Sequence, residues 1–273
     1  MATTAQQIMY RDEFIAGYET RQSVLRDTVT TETMTKGAST YFLVTKPNRT
    51  AVTRGADGKI PAAMEDLTQV QVTLQERHDK PQKTNFNIFT GQSDQRRIMQ
   101  MESVGVINRD VDLMIIATLA TTSVNTGGAA TMSKTLVNKA LTKLWNAKIP
   151  NDGQIYGLLS PAAWAYLSDV TGFTSSDYVG DRPLVVGPEK RRWMNVTWMV
   201  SPEVPGLGTN NESCFVWHKA AVGHALNSAD MQVFSGYNEE DDYSWARTTF
   251  YHGTALIQGT GVVKIAHDGS ALA

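Results

Sequence analysis

The sequence predicts a mixed α+β protein whose helices and strands are segregated along the chain. Three observations carry that expectation. A single apolar-periodic stretch from Asp94 to the "NTGG" breaker at Asn125–Gly128 is long enough for one extended helix. Runs rich in β-branched and aromatic residues lie before it and again near the C-terminus. Beyond Pro150 the texture changes to strand, short helix, strand.

Each element can be justified in order. In the first 36 residues, Ile8, Phe14, Ile15 and Tyr18 suggest an amphipathic helix, and the threonine-rich "RDTVTTETMTKG" favours extended chain. Such an arm has little of its own to pack against. "STYFLVT" (Ser39–Thr45) reads as a strand. "VQVTLQ" reads as another, with Val70, Val72 and Leu74 on one face and Gln71, Thr73 and Gln75 on the other. Between them lies "KPNRTAVTRGADGKIPAAMED", Lys46 to Asp66, 21 residues with four basic and three acidic side chains. Hairpin loops usually run to about 2–5 residues. An excursion this polar and this long is either disordered or packed on something outside the chain.

In the long helix Ser93 is the expected N-cap, Val104, Ile107, Val111 and Ile115 form the apolar repeat, and Gly105 is the candidate interruption. "SKTLVNKALTKLWNAK" starts at cap Ser133 and places Leu136, Val137, Ala140, Leu141 and Leu144 on one stripe. "QIYGLLSPAAWAYLSD" is a strand to Leu159, then Ser160 as N-cap and Pro161 at the first helical position. A Gly/Pro/Asp-rich loop, "TGFTSSDYVGDRPLVVGPEK", precedes the strands "MNVTWMVS" and "SCFVWHKAAVGHAL". The closing "YSWARTTFYHGTALIQGTGVVKIAHD" reads as two or three strands with glycine turns at Gly253 and at Gly259–Gly261.

Composition excludes several classes. With 273 residues and 41% hydrophobic content the chain can bury a substantial core. No window approaches the roughly 18 to 20 apolar residues of a membrane span, and the N-terminus lacks the pattern of a secretory signal. The single cysteine, Cys214, rules out an intrachain disulfide and fits a reducing compartment. A net charge of −2 gives no global positive field for nucleic acid.

No phosphate loop, nucleophile elbow, H-E-x-x-H or paired C-x-x-C motif occurs, so no catalytic, cofactor or metal residue is assigned. "GLGTN" and "GTG" are isolated glycine turns. Cys214, His218 and His224 offer only three ligands at irregular spacing, and a packed strand is preferred to a zinc site. His78-Asp79 and His267-Asp268 read as exposed turn residues. The acidic run Glu239, Glu240, Asp241 and Asp242 lacks the spaced ligands of a calcium loop and reads as a solvated turn. It could also pair across subunits with Lys190, Arg191 and Arg192.

Taken together, the arm, polar hairpin, long helix, α/β lobe and strand-rich tail occur in an order that resembles the major capsid proteins of tailed bacteriophages. The fold is the one those proteins share with encapsulins and herpesvirus shells. "SPAAWAYLSD", "SDYVGDRPLVVG" followed by "NVTWMVSPEVPG", "CFVWHKAAVGHA" and "HGTALIQGTGVVKI" carry the likeness, and "RDVDLMIIATLAT" is similar to the family's spine helix. Thr254 between Gly253 and Ala255 is a small departure. The resemblance implies an N-terminal arm (1–36), an extended hairpin loop (37–79), a peripheral domain with the spine helix (80–128 and 237–273) and an axial α/β domain (129–236).

It further implies a structural protein of the virion, assembled in the host cytoplasm as pentamers and hexamers of an icosahedral shell around double-stranded DNA, without sequence-specific contacts. The hairpin would lie across a neighbouring subunit, with Arg49, Arg54 and Lys59 as candidate partners for its carboxylates. The implied partners are further copies of the chain, a portal protein, a decoration or cement protein, and a separate scaffolding protein, since the chain begins directly with the arm. Some relatives crosslink lysine to asparagine. Lys46 and Lys59 lie in the right loop, but no partner asparagine with a catalytic carboxylate can be named. The nearest competing reading is an encapsulin-type nanocompartment enclosing cargo enzymes. From a different class, an α+β hydrolase or binding module would need a polar pocket that no motif proposes.

Overall fold

The computed structural model describes residues 23–45, 51–61, 67–90, 95–170, 173, 190–227 and 232–272, without the side chains of 88–90, 95 and 96. The expected helix through Ile8–Tyr18, the cap Ser93, Arg49 and most of the loop 171–189 lie outside these residues.

The molecule is mixed α+β, built on a five-stranded sheet buried on both faces. Its strands are β6 (Ile155–Leu159), β7 (Arg191–Trp193), β8 (Val196–Val200), β9 (Glu212–His218) and β13 (Val262–His267), in the order β13-β9-β6-β8-β7. Only β6 and β8 run parallel. Every residue of β9 is buried, because side chains alternating across a strand meet a core on each side.

On one face, helices α3 (Lys134–Asn146) and α4 (Pro161–Ser168) cover Ile155, Leu159, Trp198, Val216 and Ile265. Both helices begin as the sequence predicts. The Ser133 hydroxyl accepts from the Leu136 N–H at 3.3 Å, and the Ser160 hydroxyl accepts from Ala163 at 3.1 Å. All five residues of the α3 stripe are buried.

On the other face, Leu158, Met199, Phe215, Trp217 and Val262 meet the long helix α2 (Gln95–Ala120). This helix runs through Gly105 without a break. Its buried positions are Met99, Ser103, Ile107, Val111, Ile115, Ile116 and Leu119, so Ser103 is fully buried where Val104 was expected. A strict four-residue step drifts by about 40° per step on a helix of 3.6 residues per turn. The buried stripe therefore winds around α2, and its neighbours change along its length. Ser103 reaches the Asp79 carbonyl at 3.4 Å, while Ile107 to Leu119 join the second core.

A six-stranded sheet completes that core. Its axis is β12 (Tyr243–Leu256), 14 residues long, flanked by β10 (Val222–Asn227) and β11 (Gln232–Asn238), and by β4 (Gln75–Asp79) and β5 (Gln82–Thr84). β12 passes straight through Gly253, which is no turn. A Cβ there would collide with the Thr73 carbonyl oxygen, so glycine marks a close backbone crossing. The run expected from Ser213 to Leu226 divides at Lys219–Ala221, and its halves β9 and β10 belong to different sheets.

Two histidine pairs differ from expectation. His78 and Asp79 lie in β4, paired with Thr249 and Thr248 of β12. His267 ends β13 fully buried. The lower arm also differs, since it does pack: Leu25 and Val29 are buried in the second core, and β1 (Thr30–Met34) adds in parallel to β10.

A two-stranded hairpin stands apart as its own sheet: β2 (Ser39–Thr45) and β3 (Leu67–Thr73), paired from Ser39↔Thr73 to Thr45↔Leu67. A short helix α1 (Asn85–Thr90) precedes α2.

Candidate functional site

The hairpin has two unlike faces. Val72 is buried, Phe42, Val44 and Val70 are half-buried, and the Phe42 ring lies over Gly223 of β10. These residues attach the hairpin's base to the six-stranded sheet. The opposite face carries Tyr41, Leu43 and Leu67, each more than half exposed, and at its far end Val52 and Ile60 are exposed as well. Three to five large apolar side chains on one narrow ribbon have no core to enter among the described residues. Such a cluster marks a contact surface.

Past β2 the chain is exposed from 51 to 61. A turn closes there, with the Gly55 N–H donating to the Lys59 carbonyl and the Gly58 N–H to Gly55, both at 2.9 Å. Gly58 takes φ +75°, and the Asp57 carboxylate accepts from the Lys59 N–H at 3.2 Å. Arg54 and Lys59 both sit in this exposed turn region. Arg49 falls outside the described residues.

The other charged candidates are placed far apart in the topology. Lys190 is exposed just ahead of β7, and β7 is an edge strand of the five-stranded sheet. The Arg191 guanidinium lies 5.3 Å from the Phe173 ring centroid, and Arg192 bonds to the Asn195 amide oxygen. Glu239, Glu240, Asp241 and Asp242 form the exposed turn between β11 and β12 in the other sheet. Asp242 accepts from the Asn85 amide at 2.8 Å and from the Tyr237 hydroxyl, and Asp241 accepts from Asn238 at 3.2 Å. Beside the turn, Val233, Phe234 and Tyr237 are exposed, and Phe86 of α1 is 72% exposed.

Sequence reasoning missed the groups that fix the arm and the six-stranded sheet to the rest of the molecule. Asp112 of α2 accepts from the Ser23 hydroxyl at 2.6 Å and from the Val24 and Leu25 N–H groups at 2.9 and 3.0 Å. The Trp217 indole donates to the Thr28 carbonyl at 3.1 Å. Asp110, two residues from Asp112, meets His252 Nε2 at 3.2 Å and Arg77 Nε at 3.4 Å. The hydrogen bond from His252, with Arg77 nearby, holds the Asp110 carboxyl below its ordinary value despite partial burial. The His252 ring stands edge-on to buried His224 at 5.5 Å. No local motif announces these contacts, since each joins residues 28 or more apart in the chain.

One buried cluster contains the residue types of a hydrolase. The Ser160 hydroxyl donates to Glu212, the Gly208 N–H donates to Glu212 at 2.8 Å, and His267 Nε2 lies 3.9 Å from the same carboxylate. The serine is bound to the carboxylate instead of the imidazole, and His267 Nδ1 accepts from the Met132 N–H at 3.1 Å. All three side chains are fully buried, so the hydroxyl is presented to no substrate. Cys214 sits beside Ser160 at 3.9 Å, and burial pushes its thiol up to about 12, where it is an inert apolar group. Among the described residues no group of three or more metal-ligating side chains gathers, and no helix is long and apolar enough to cross a membrane.

Comparison with known proteins agrees with this picture of a scaffold bearing contact surfaces. A family profile described as phage capsid protein matches residues 2–269. The fold is similar to that of a Mycobacterium phage Che8 structure, with 17% identity over 93% of this chain and 97% of the other, at a TM-score of 0.73. It is similar also to the capsid structure of the cyanophage P-SCSP1u, with 13% identity over 98% of this chain and 95% of the other, at 0.74. A third likeness is to the capsid of a native GTA particle, with 12% identity over 98% and 99%, at 0.69. A search of curated protein sequences gave no match.

Proposed function

Because the chain belongs to the phage capsid protein family and is a structural capsid protein, not an enzyme, we propose that its copies close into an icosahedral shell of pentamers and hexamers through overlaps made by the hairpin and the arm. The observation that carries this reading is the hairpin itself: a separate two-stranded sheet whose outer face exposes Tyr41, Leu43 and Leu67. In a shell that face lies on a neighbouring subunit. Apolar burial there drives association, at roughly 25 cal/mol per Å² removed from water. Arg49, Arg54 and Lys59 meet the neighbour's carboxylates, and Lys190, Arg191 and Arg192 face the acidic turn of another copy. Each exposed pair contributes about 1 kcal/mol or less, so specificity comes from many such contacts closing together.

The division into arm (1–36), hairpin loop (37–79), peripheral domain (80–128 and 237–273) and axial domain (129–236) fits this scheme. The shell encloses double-stranded DNA, and a net charge of −2 leaves that DNA free to slide during packing. A scaffolding protein, a portal and a decoration or cement protein complete the set of partners. Assembly takes place in the host cytoplasm. The match to the phage capsid profile favours a genome container over an encapsulin-type compartment.

The test is electron microscopy of the purified protein, alone and with its scaffold. Closed shells with hairpin density on a neighbouring subunit are expected. Dispersed small particles under every condition would overturn the reading.

A further inference from the structure

Helix α3 is unusually one-sided in charge. Its 13 residues include Lys134, Lys139 and Lys143, all exposed, and no Asp or Glu. Lys148 follows directly, and the next acidic residue is Asp152. Helix stability accounts for only part of this arrangement: Lys143 stands in the last turn, where the dipole favours a cation, but nothing in the helix calls for Lys134 or Lys139. Lys134 occupies the first turn, where the helix dipole disfavours a cation and where no acidic residue stands. Lys139 and Lys143 are four residues apart, a like-charge spacing that costs a few tenths of a kcal/mol. Among the described residues none of the three enters an ion pair. The charge is also local, since the whole chain carries a net −2.

The placement is equally one-sided. Leu136, Val137, Ala140, Leu141 and Leu144 bury the inner half of α3 against the five-stranded sheet, so its outer half is a surface of the molecule. On a helix of 3.6 residues per turn, Lys139 and Lys143 lie on one shoulder of that outer half. Lys134 lies on the other shoulder with Trp145, which is 44% exposed.

We propose that the outer half of α3 faces the lumen of the shell and that Lys134, Lys139 and Lys143 contact the phosphate backbone of the packaged double-stranded DNA. This rests on the container reading above. A polyanion with charge repeated along its whole length meets ammonium groups on both shoulders of the helix whatever its sequence or register. An acidic protein segment is the less favoured occupant, because it would need apolar contacts beyond the single aromatic side chain the face offers. Lysine suits the task as a flexible point charge without bidentate grip, so the contact is weak and sequence-blind.

The test uses genome-filled particles made with the full chain. Formaldehyde cross-linking followed by digestion and peptide mapping should recover DNA linked to Lys134, Lys139 or Lys143. K134Q/K139Q/K143Q keeps helix propensity and is expected to form shells while losing those adducts. For the unassembled full chain, the slope of log affinity for duplex DNA against log salt should flatten by about 2.7. Three results would overturn the inference alone: DNA linked only at other residues, adducts of these lysines to another protein, or their labelling in intact filled particles by a bulky impermeant amine reagent. Absence of shells in micrographs of the same preparation would overturn the container reading, and the inference with it.

Discussion

Asp110 and Asp112 stand on one turn of α2 and tie it to different parts of the molecule. Asp112 holds Ser23, Val24 and Leu25 and so fixes where the arm leaves the body. Asp112→Ala leaves three donors without that acceptor at a half-buried site and should cost about 1–2 kcal/mol in denaturant unfolding, with faster hydrogen exchange at Val24 and Leu25. Asp110 serves the sheet. Its folded pKa is lowered, so its contribution is present above the unfolded carboxylate value of about 3.9 and is lost as pH falls through the folded value. The gap in denaturant midpoint between wild type and Asp110→Asn is therefore expected to be wide at pH 7 and to narrow only as pH falls below about 3.9. At Glu212 the carboxylate is fully buried and accepts from Ser160 and Gly208. Glu212→Ala should cost about 3 kcal/mol or more, read as a fall in thermal midpoint. None of these roles could be read from sequence. A carboxylate in a helix pattern looks solvated until the fold supplies its partner, and His267 looked like a turn residue because aspartate and glycine follow it.

At the scale of elements the sequence was far more legible. Ser133, Ser160 and Pro161 fixed two helix starts because capping is local chemistry, and the alternation of Val70 and Val72 set the inner face of β3. Expectation failed where tertiary contact overrides local preference. Gly253 signals a turn by composition, yet β12 keeps its course and uses the missing Cβ to let the β3 backbone cross. Gly253→Ala should be destabilising by about 1–3 kcal/mol and loosen the hairpin's base, measured by denaturant unfolding. The hairpin's far end is a different case. It contributes nothing to either core among the described residues, so deleting residues 47 to 65 should leave a cooperatively folded subunit that fails to build shells. Normal shells from that deletion would count against the role given to the loop. The exposed apolar face of the hairpin was hidden in the sequence, because which side of a strand is bare depends on what the other side docks against.

For the molecule as a whole, the order of arm, hairpin, long helix, lobe and tail was readable because each segment has its own periodicity. The proposed contact residues were not, because on that reading their partners belong to other copies. Charge reversal at the hairpin end, R54E/K59E, should lower shell yield and invert the salt dependence of assembly, followed by light scattering. A yield unchanged at low salt would remove these two side chains from the interface. The five-stranded sheet, covered on both faces with every residue of β9 buried, has a mechanical consequence. Close-packed interiors compress little, so the body behaves as a tile of fixed thickness. In the proposed shell, bending of the wall under outward pressure is then taken up at the joints between tiles, where the ribbon and tether assigned to those joints would act as hinges and straps.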